Sequence, residues 1–296
     1  MNIKANIHFM LASVVSNAFV LLLVATTLLS GLSVQHAAAQ GAGDLIVAPT
    51  RVVLEGRTRS AQLTLSNTGS TTSTYRISIV NLRMNEDGTV VEITEPDEGQ
   101  MFAEKLFRYS PRQITLEPGA TQAVRILLRK PKDLADGEYR SHIFFRAVPD
   151  EAGQSVNQTV NQDGIQIRLI PVYGITLPII IRHGKPTVSA SLSELKLNPP
   201  SENNPLSTLN FRVLREGSIS AFGDFKATFV SNSGEKTIIG EMQRFAVYTP
   251  NKSRAVNIPM RVPEGLKLAN GEIQLVFSAI EDDGGKVLAE QTLKLP

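Results

Sequence analysis

The chain has 296 residues, 30 Lys plus Arg against 28 Asp plus Glu for a formal net charge of +2, and neither cysteine nor tryptophan. Near neutrality excludes the strong basic bias of a nucleic-acid binder. The missing cysteines exclude disulfides, thiol chemistry and cysteine-based zinc sites, so each domain must be held by core burial alone.

At the start, Lys4 is the sole charged side chain before Asp44, and residues 18–29 form an apolar block followed by Ala37, Ala38 and Ala39. A positive start, a short apolar stretch and a small-residue cleavage site are the layout of a secretory signal peptide. The block is shorter than the ~20 apolar residues a spanning helix needs. Residues 1–39 are therefore expected to be removed, leaving a chain with no stable membrane insertion and a charge lower by the one lysine.

Beyond Asp44 short alternating segments are separated by Gly, Asn, Asp, Ser and Pro clusters, an all-β pattern. Strands are expected at residues 45–54, 61–66, 75–82, 90–93, 112–116, 123–128 and 139–148. Asn85-Glu86-Asp87-Gly88 and Glu117-Pro118-Gly119 supply the residues that tight turns require. Ala61, Leu63 and Leu65 alternate with Gln62, Thr64 and Ser66, which places that strand on a half-solvated sandwich face. After a polar, Asn/Gln-rich loop at 150–164 comes the longest run, 165–181, with large apolar or aromatic side chains at nearly every odd position. Its apolar ridge far exceeds an ordinary strand of about five or six residues, so part of it is expected to pair outside its own sheet.

The run ends in Arg182-His183-Gly184-Lys185-Pro186, a Gly/Pro linker, and further strands are expected at 188–197, 206–214, 226–230, 237–239, 255–260, 272–280 and 287–295, with a hairpin turn at Glu281-Asp282-Asp283-Gly284-Gly285. The fold class expected is all-β, two immunoglobulin-like β-sandwich domains at 40–183 and 184–296 in a boomerang arrangement.

Catalytic chemistry has little material. Beyond residue 39 the histidines are His142 and His183, and His142 is followed by Ile143, Phe144 and Phe145, the setting of a structural histidine rather than a general base. No nucleophile elbow, phosphate-cradling glycine loop or zinc-binding histidine pair is present, and the Glu281-Asp282-Asp283 spacing does not match a calcium loop. The expectation is a binding protein without cofactor or metal, not an enzyme.

Three stretches resemble the periplasmic pilus-assembly chaperones of the PapD-like family, in an archaic or alternative branch. They are Ala48-Pro49-Thr50-Arg51-Val52-Val53-Leu54; Tyr109 through Gly119 followed by Gln122-Ala123-Val124-Arg125-Ile126; and Asp136-Gly137-Glu138-Tyr139-Arg140-Ser141 leading to Pro149. Order and spacing agree across residues 44–183. The resemblance implies donor-strand complementation, in which the chaperone fills the missing strand of a pilin until an outer-membrane usher takes over. It also implies a periplasmic location in a Gram-negative bacterium.

An extended segment does this by main-chain hydrogen bonds to an exposed edge and by alternate side chains that fill pockets. Ile165, Ile167 and Leu169 are the expected donors, with Pro171 and Tyr173 as additions; three buried aliphatic side chains contribute roughly 5–9 kcal/mol before ordering costs. The resemblance further implies that Arg51 holds the pilin's terminal carboxylate. The family's second anchor, a lysine, falls on Pro178 here, and Arg168 stands as the alternative. Glu138 and Arg182, with Asp282 from the second domain, match an inter-domain ion pair. Exposed strands of this kind would also let two apo molecules cap one another as a homodimer. The competing reading is a secreted two-domain structural or adhesive protein with no chaperone activity.

Overall fold

The computed structural model describes residues 44–149, 159–160, 166–167, 172–201 and 205–296. Of the expected site residues, Ile165, Arg168, Leu169 and Pro171 lie outside the described residues, as do the side chains of Ile167 and Asp282.

The first sandwich is built from β1 (Leu45–Ala48), β2 (Val52–Leu54), β3 (Ser60–Asn67), β4 (Ser73–Val80), β5 (Leu82–Met84), β6 (Val90–Glu92), β7 (Phe107–Ser110), β8 (Gln113–Leu116), β9 (Thr121–Leu128), β10 (Gly137–Ala147), β11 (Thr159–Val160), β12 (Gln166–Ile167) and β13 (Gly174–His183). One sheet has the order β1-β3-β9-β7 and the facing sheet β2-β13-β10-β4-β8, while β5 with β6 and β11 with β12 form two small hairpins. Alternation decides the core: Leu63 and Leu65 of β3, Val124 and Ile126 of β9, Tyr75 and Ile77 of β4, and Ile143 and Phe145 of β10 all point inward and are buried.

The strand expected at 45–54 is two strands. β1 pairs with β3 in one sheet, and β2 pairs in parallel with β13 in the other. Pro49, which has no N–H to donate, stands where the chain leaves the first ladder and crosses to the second. β7 was not expected; Phe107 and Tyr109 are buried and Arg108 and Ser110 exposed, but four residues give too short an alternation to stand out.

The second sandwich comprises β14 (Val188–Asn198), β15 (Thr208–Gly217), β16 (Ala221–Ser231), β17 (Lys236–Val247), β18 (Ser253–Pro259), β19 (Gly271–Ser278) and β20 (Val287–Leu295). Its sheets have the orders β14-β15-β18 and β17-β16-β19-β20. An aromatic cluster fills the middle: Phe225 stacks on Phe277 at 4.4 Å between ring centroids and meets Phe211 and Phe245 edge-on at 4.9 and 5.1 Å. The expected 281–285 hairpin connection holds a single 3-10 turn, Glu281–Asp283, closed by left-handed Gly284 and Gly285.

Among the described residues no helix is long and apolar enough to cross a membrane.

Candidate functional site

The long run divides at Gly174, where β13 begins. From there onward it belongs to its own domain: Ile175 packs against the first core, Leu177, Ile179 and Ile181 lie in it, and Ile180 is buried as well. On one side β13 pairs with β10 along its whole length, from His183 opposite Gly137 to Gly174 opposite Arg146. On the other side it pairs with β2 only at Ile179, Ile180 and Ile181. Among the described residues the outer edge of β13 from Gly174 to Pro178 therefore has no strand partner. Pro178 is placed where this costs least, since it needs no acceptor for a missing N–H.

Just before this edge the surface is apolar. Val172 is 40% exposed and Tyr173 51%, and Val148, 40% exposed, lies beside them because the Ala147 N–H donates to the Tyr173 carbonyl at 3.0 Å. An unpaired edge with apolar side chains leading into it is the feature that β-augmentation uses.

The second feature is a layer of arginines where the two sandwiches meet. Arg51 leaves the connection between β1 and β2 and lays its guanidinium 4.0 Å from the centroid of the Phe222 ring on β16. Its Nη1 donates to Asp283 at 3.0 Å, and its side chain is only 8% exposed. Nε and Nη2 are buried without a hydrogen-bond partner. These two groups share one edge of the planar guanidinium, so they form a side-on fork suited to both oxygens of a carboxylate.

Arg140, two residues after Glu138 on β10 and hence on the same face, stacks 4.2 Å from the centroid of the Tyr248 ring. It donates to the Thr249 and Leu82 carbonyls, and its Nε is buried and unpaired. Burial draws the Arg140 guanidinium below the usual arginine range, offset only in part by Tyr248 and Glu138. Burial raises the Tyr248 hydroxyl, while Arg140, Arg51 and Arg254 pull it back toward the charged form.

Beside this layer Glu138 is fully buried and accepts from Arg182 Nε at 3.1 Å. Arg182 Nη1 reaches Glu55 at 3.0 Å, and the two carboxylates outweigh burial and hold the Arg182 pKa above its usual value. The second sandwich contributes Ser220, whose hydroxyl and N–H both donate to Glu138. Among the described residues the second-domain partner of Glu138 is Ser220, and Asp283 pairs with Arg51; the Asp282 side chain of the expected Glu138, Arg182 and Asp282 set lies outside them.

A third junction element was not expected. The turn between β5 and β6 docks on the second sandwich: the Ala255 N–H donates to the Glu86 carbonyl at 2.9 Å, Arg212 and Ser253 donate to the Glu86 carboxylate, and Asn251 donates to the Met84 carbonyl. Arg254 packs over Phe245 against Gly88, where there is no Cβ to obstruct it.

His142 is buried on the same face of β10 as Arg140; desolvation first, and then Arg140, lower its pKa to about 3. Its Nδ1 is buried without a hydrogen-bond partner among the described residues, where a triad would hold a carboxylate.

Residues 54–156 match the Fn3-like domain family, about a third of the chain. No curated protein matches the sequence. Among solved structures, the chain is similar to the CupB2 chaperone of Pseudomonas aeruginosa at 15% identity and a TM-score of 0.43, covering 85% of this chain and 100% of that one. It is similar to the YadV chaperone at 14% identity and a TM-score of 0.41, with 85% and 100% covered. The CsuC–CsuE chaperone–tip subunit pre-assembly complex of Acinetobacter baumannii matches at 11% identity and a TM-score of 0.40, with 85% and 97% covered.

Proposed function

We propose that this chain is a periplasmic pilus-assembly chaperone that captures a pilin-like subunit by lending it a strand and passes it to an outer-membrane usher. The observation that carries the reading is the β13 edge from Gly174 to Pro178, which has no strand partner among the described residues, is approached by exposed Val172 and Tyr173 and is continuous in sequence with Ile165, Ile167 and Leu169. A guest lacking one strand gains main-chain hydrogen bonds along this edge and burial of alternate side chains. The Arg51 fork supports the same reading, because it offers a carboxylate two parallel donors and so fixes the register of the guest.

The test is co-purification from periplasm followed by mass spectrometry of whatever is bound. Ile167→Asp with Leu169→Asp is expected to abolish capture of a pilin-like subunit while the melting temperature of the free chain stays within about 2 °C of the parent, the range of a small surface change. Loss of folding along with capture would show that the two residues are merely core.

A further inference from the structure

The free β13 edge borders an open sheet face. One row across that face runs Gln113, Arg76, Arg146 and Gly174, from β8 through β4 and β10 to the edge itself. Tyr75 and Ile77 of β4 and Phe145 of β10 point into the core, so Arg76 and Arg146 point outward, and both are exposed. They stand directly opposite one another, an arrangement of like charges that destabilises a sheet. Among the described residues neither has a carboxylate partner. The acid on the outward face of β10 is Glu138, at the opposite end of the strand and engaged by Arg182 and Ser220. The sheet thus carries an unneutralised pair of cations next to the edge where a strand is lent.

Beyond Arg146 the row holds no further side chain. Position 174 is glycine, and the Phe144 ring lies where its Cβ would stand, an apolar floor between Arg146 and the edge. A strand added along Gly174 to Pro178 would run two strand spacings from β10, about 10 Å, which an arginine and a glutamate side chain reaching toward each other can span. Repulsion from Arg76 on one side, and the missing side chain at Gly174 on the other, direct the Arg146 guanidinium toward that added strand.

We infer that Arg146 is a charge-reading specificity residue of the guest site: the strand captured along the β13 edge carries an acidic side chain beside Gly174, which pairs with Arg146 over the Phe144 ring, and a basic side chain at that position is rejected. This rests on the chaperone reading and narrows it, from any guest lacking a strand to one whose paired strand is acidic at this register. Such a charge contributes more to the choice of partner than to affinity, because a guest of the wrong sign meets two arginines while burial of its apolar side chains attracts it as before.

The test follows fluorescence anisotropy of labelled peptides with both ends blocked, alternating valine with glutamate, glutamine or lysine, on the whole mature chain. The glutamate peptide is expected to bind about tenfold more tightly than the lysine one, with glutamine between them, and the gap to narrow at high salt. Arg146→Gln is expected to bring the three peptides within about twofold of one another, and Arg146→Glu to favour lysine. Equal affinities or no binding in the parent, or a glutamate preference that survives Arg146→Glu, overturn the assignment. Removing one of two opposed like charges should leave the melting temperature unchanged or higher. A fall of more than about 2 °C in Arg146→Gln would mean that this arginine serves a carboxylate of its own chain, and overturns the assignment as well. Strand lending is read separately by co-purification of a pilin-like subunit, so it stands if the charge preference fails.

Discussion

His142 shows what burial does to one titratable side chain. It is 6% exposed, its Nδ1 has no partner, and Arg140 lies on the same strand face, so protonation would place a second cation in a dry layer that already holds one. With a folded-state pKa of about 3 against about 6.5 in the unfolded chain, the unfolded state binds the extra proton between these values. The stabilisation from keeping this histidine neutral is therefore fully present above about pH 6.5 and is lost as pH falls toward 3, on the order of 5 kcal/mol across the whole window. Urea unfolding of the parent between pH 7 and pH 4.5 is expected to show stability falling with pH, and His142→Leu should flatten the curve. The window stops above the ordinary carboxylate range, so an equal slope in the leucine variant would assign the dependence to other groups.

At the scale of single elements, β13 has two fates along one strand. Leu177 is 5% exposed and closes the first core, whereas Tyr173, four residues earlier, is half exposed beside Val148. Leu177→Asp buries an unpaired carboxylate and is expected to cost several kcal/mol, enough to unfold the first sandwich. Tyr173→Asp should change stability by no more than about 0.5 kcal/mol yet weaken guest capture in the co-purification assay. If Tyr173→Asp captured the guest as well as the parent, the surface leading into the free edge would have no part in binding.

The β5–β6 turn gives a second element-scale outcome. Gly88 has φ +88°, and an added Cβ would run into the Arg254 guanidinium held by Phe245 and the Ala246 carbonyl. Gly88→Ala is expected to lower the melting temperature, by the ~1 kcal/mol of a strained left-handed residue plus the displaced arginine, with little effect from the same change at the open Gly119 beyond its own positive φ. Much of this element order is legible in the sequence. Period-2 alternation and turn residues mark nearly every strand, because a half-solvated sheet writes its two faces directly into the chain. It fails at Phe107–Ser110, at Thr159–Val160 inside the stretch expected as a loop, and where one alternating run changes sheet, as at Pro49.

The junction of the two sandwiches was far less legible, because its partners are joined by docking rather than by spacing. Glu138 and Ser220 are 82 residues apart, Arg51 and Asp283 are 232 apart, and no periodicity links them. Arg140 was within reach, since it stands two residues from Glu138 and so must share its face. At this whole-molecule scale Glu138 joins three contributors, accepting from Arg182 of its own sandwich and from the hydroxyl and N–H of Ser220 on the other. Glu138→Gln removes the carboxylate that compensates buried Arg182, and Glu55, half exposed, cannot replace it. Breaking one side of a buried pair costs about 3–5 kcal/mol, whereas Ser220→Ala removes one hydroxyl that donates to Glu138 and accepts from the Thr249 N–H, and is expected to cost about 1–2 kcal/mol. Because the two residues share a hydrogen bond, the double variant should be less destabilised than the sum of the singles by at least about 0.5 kcal/mol in urea unfolding. Strict additivity would mean that Glu138 stabilises its own sandwich alone and that the docking of the two domains rests on Arg51, Glu86 and the aromatic cluster instead.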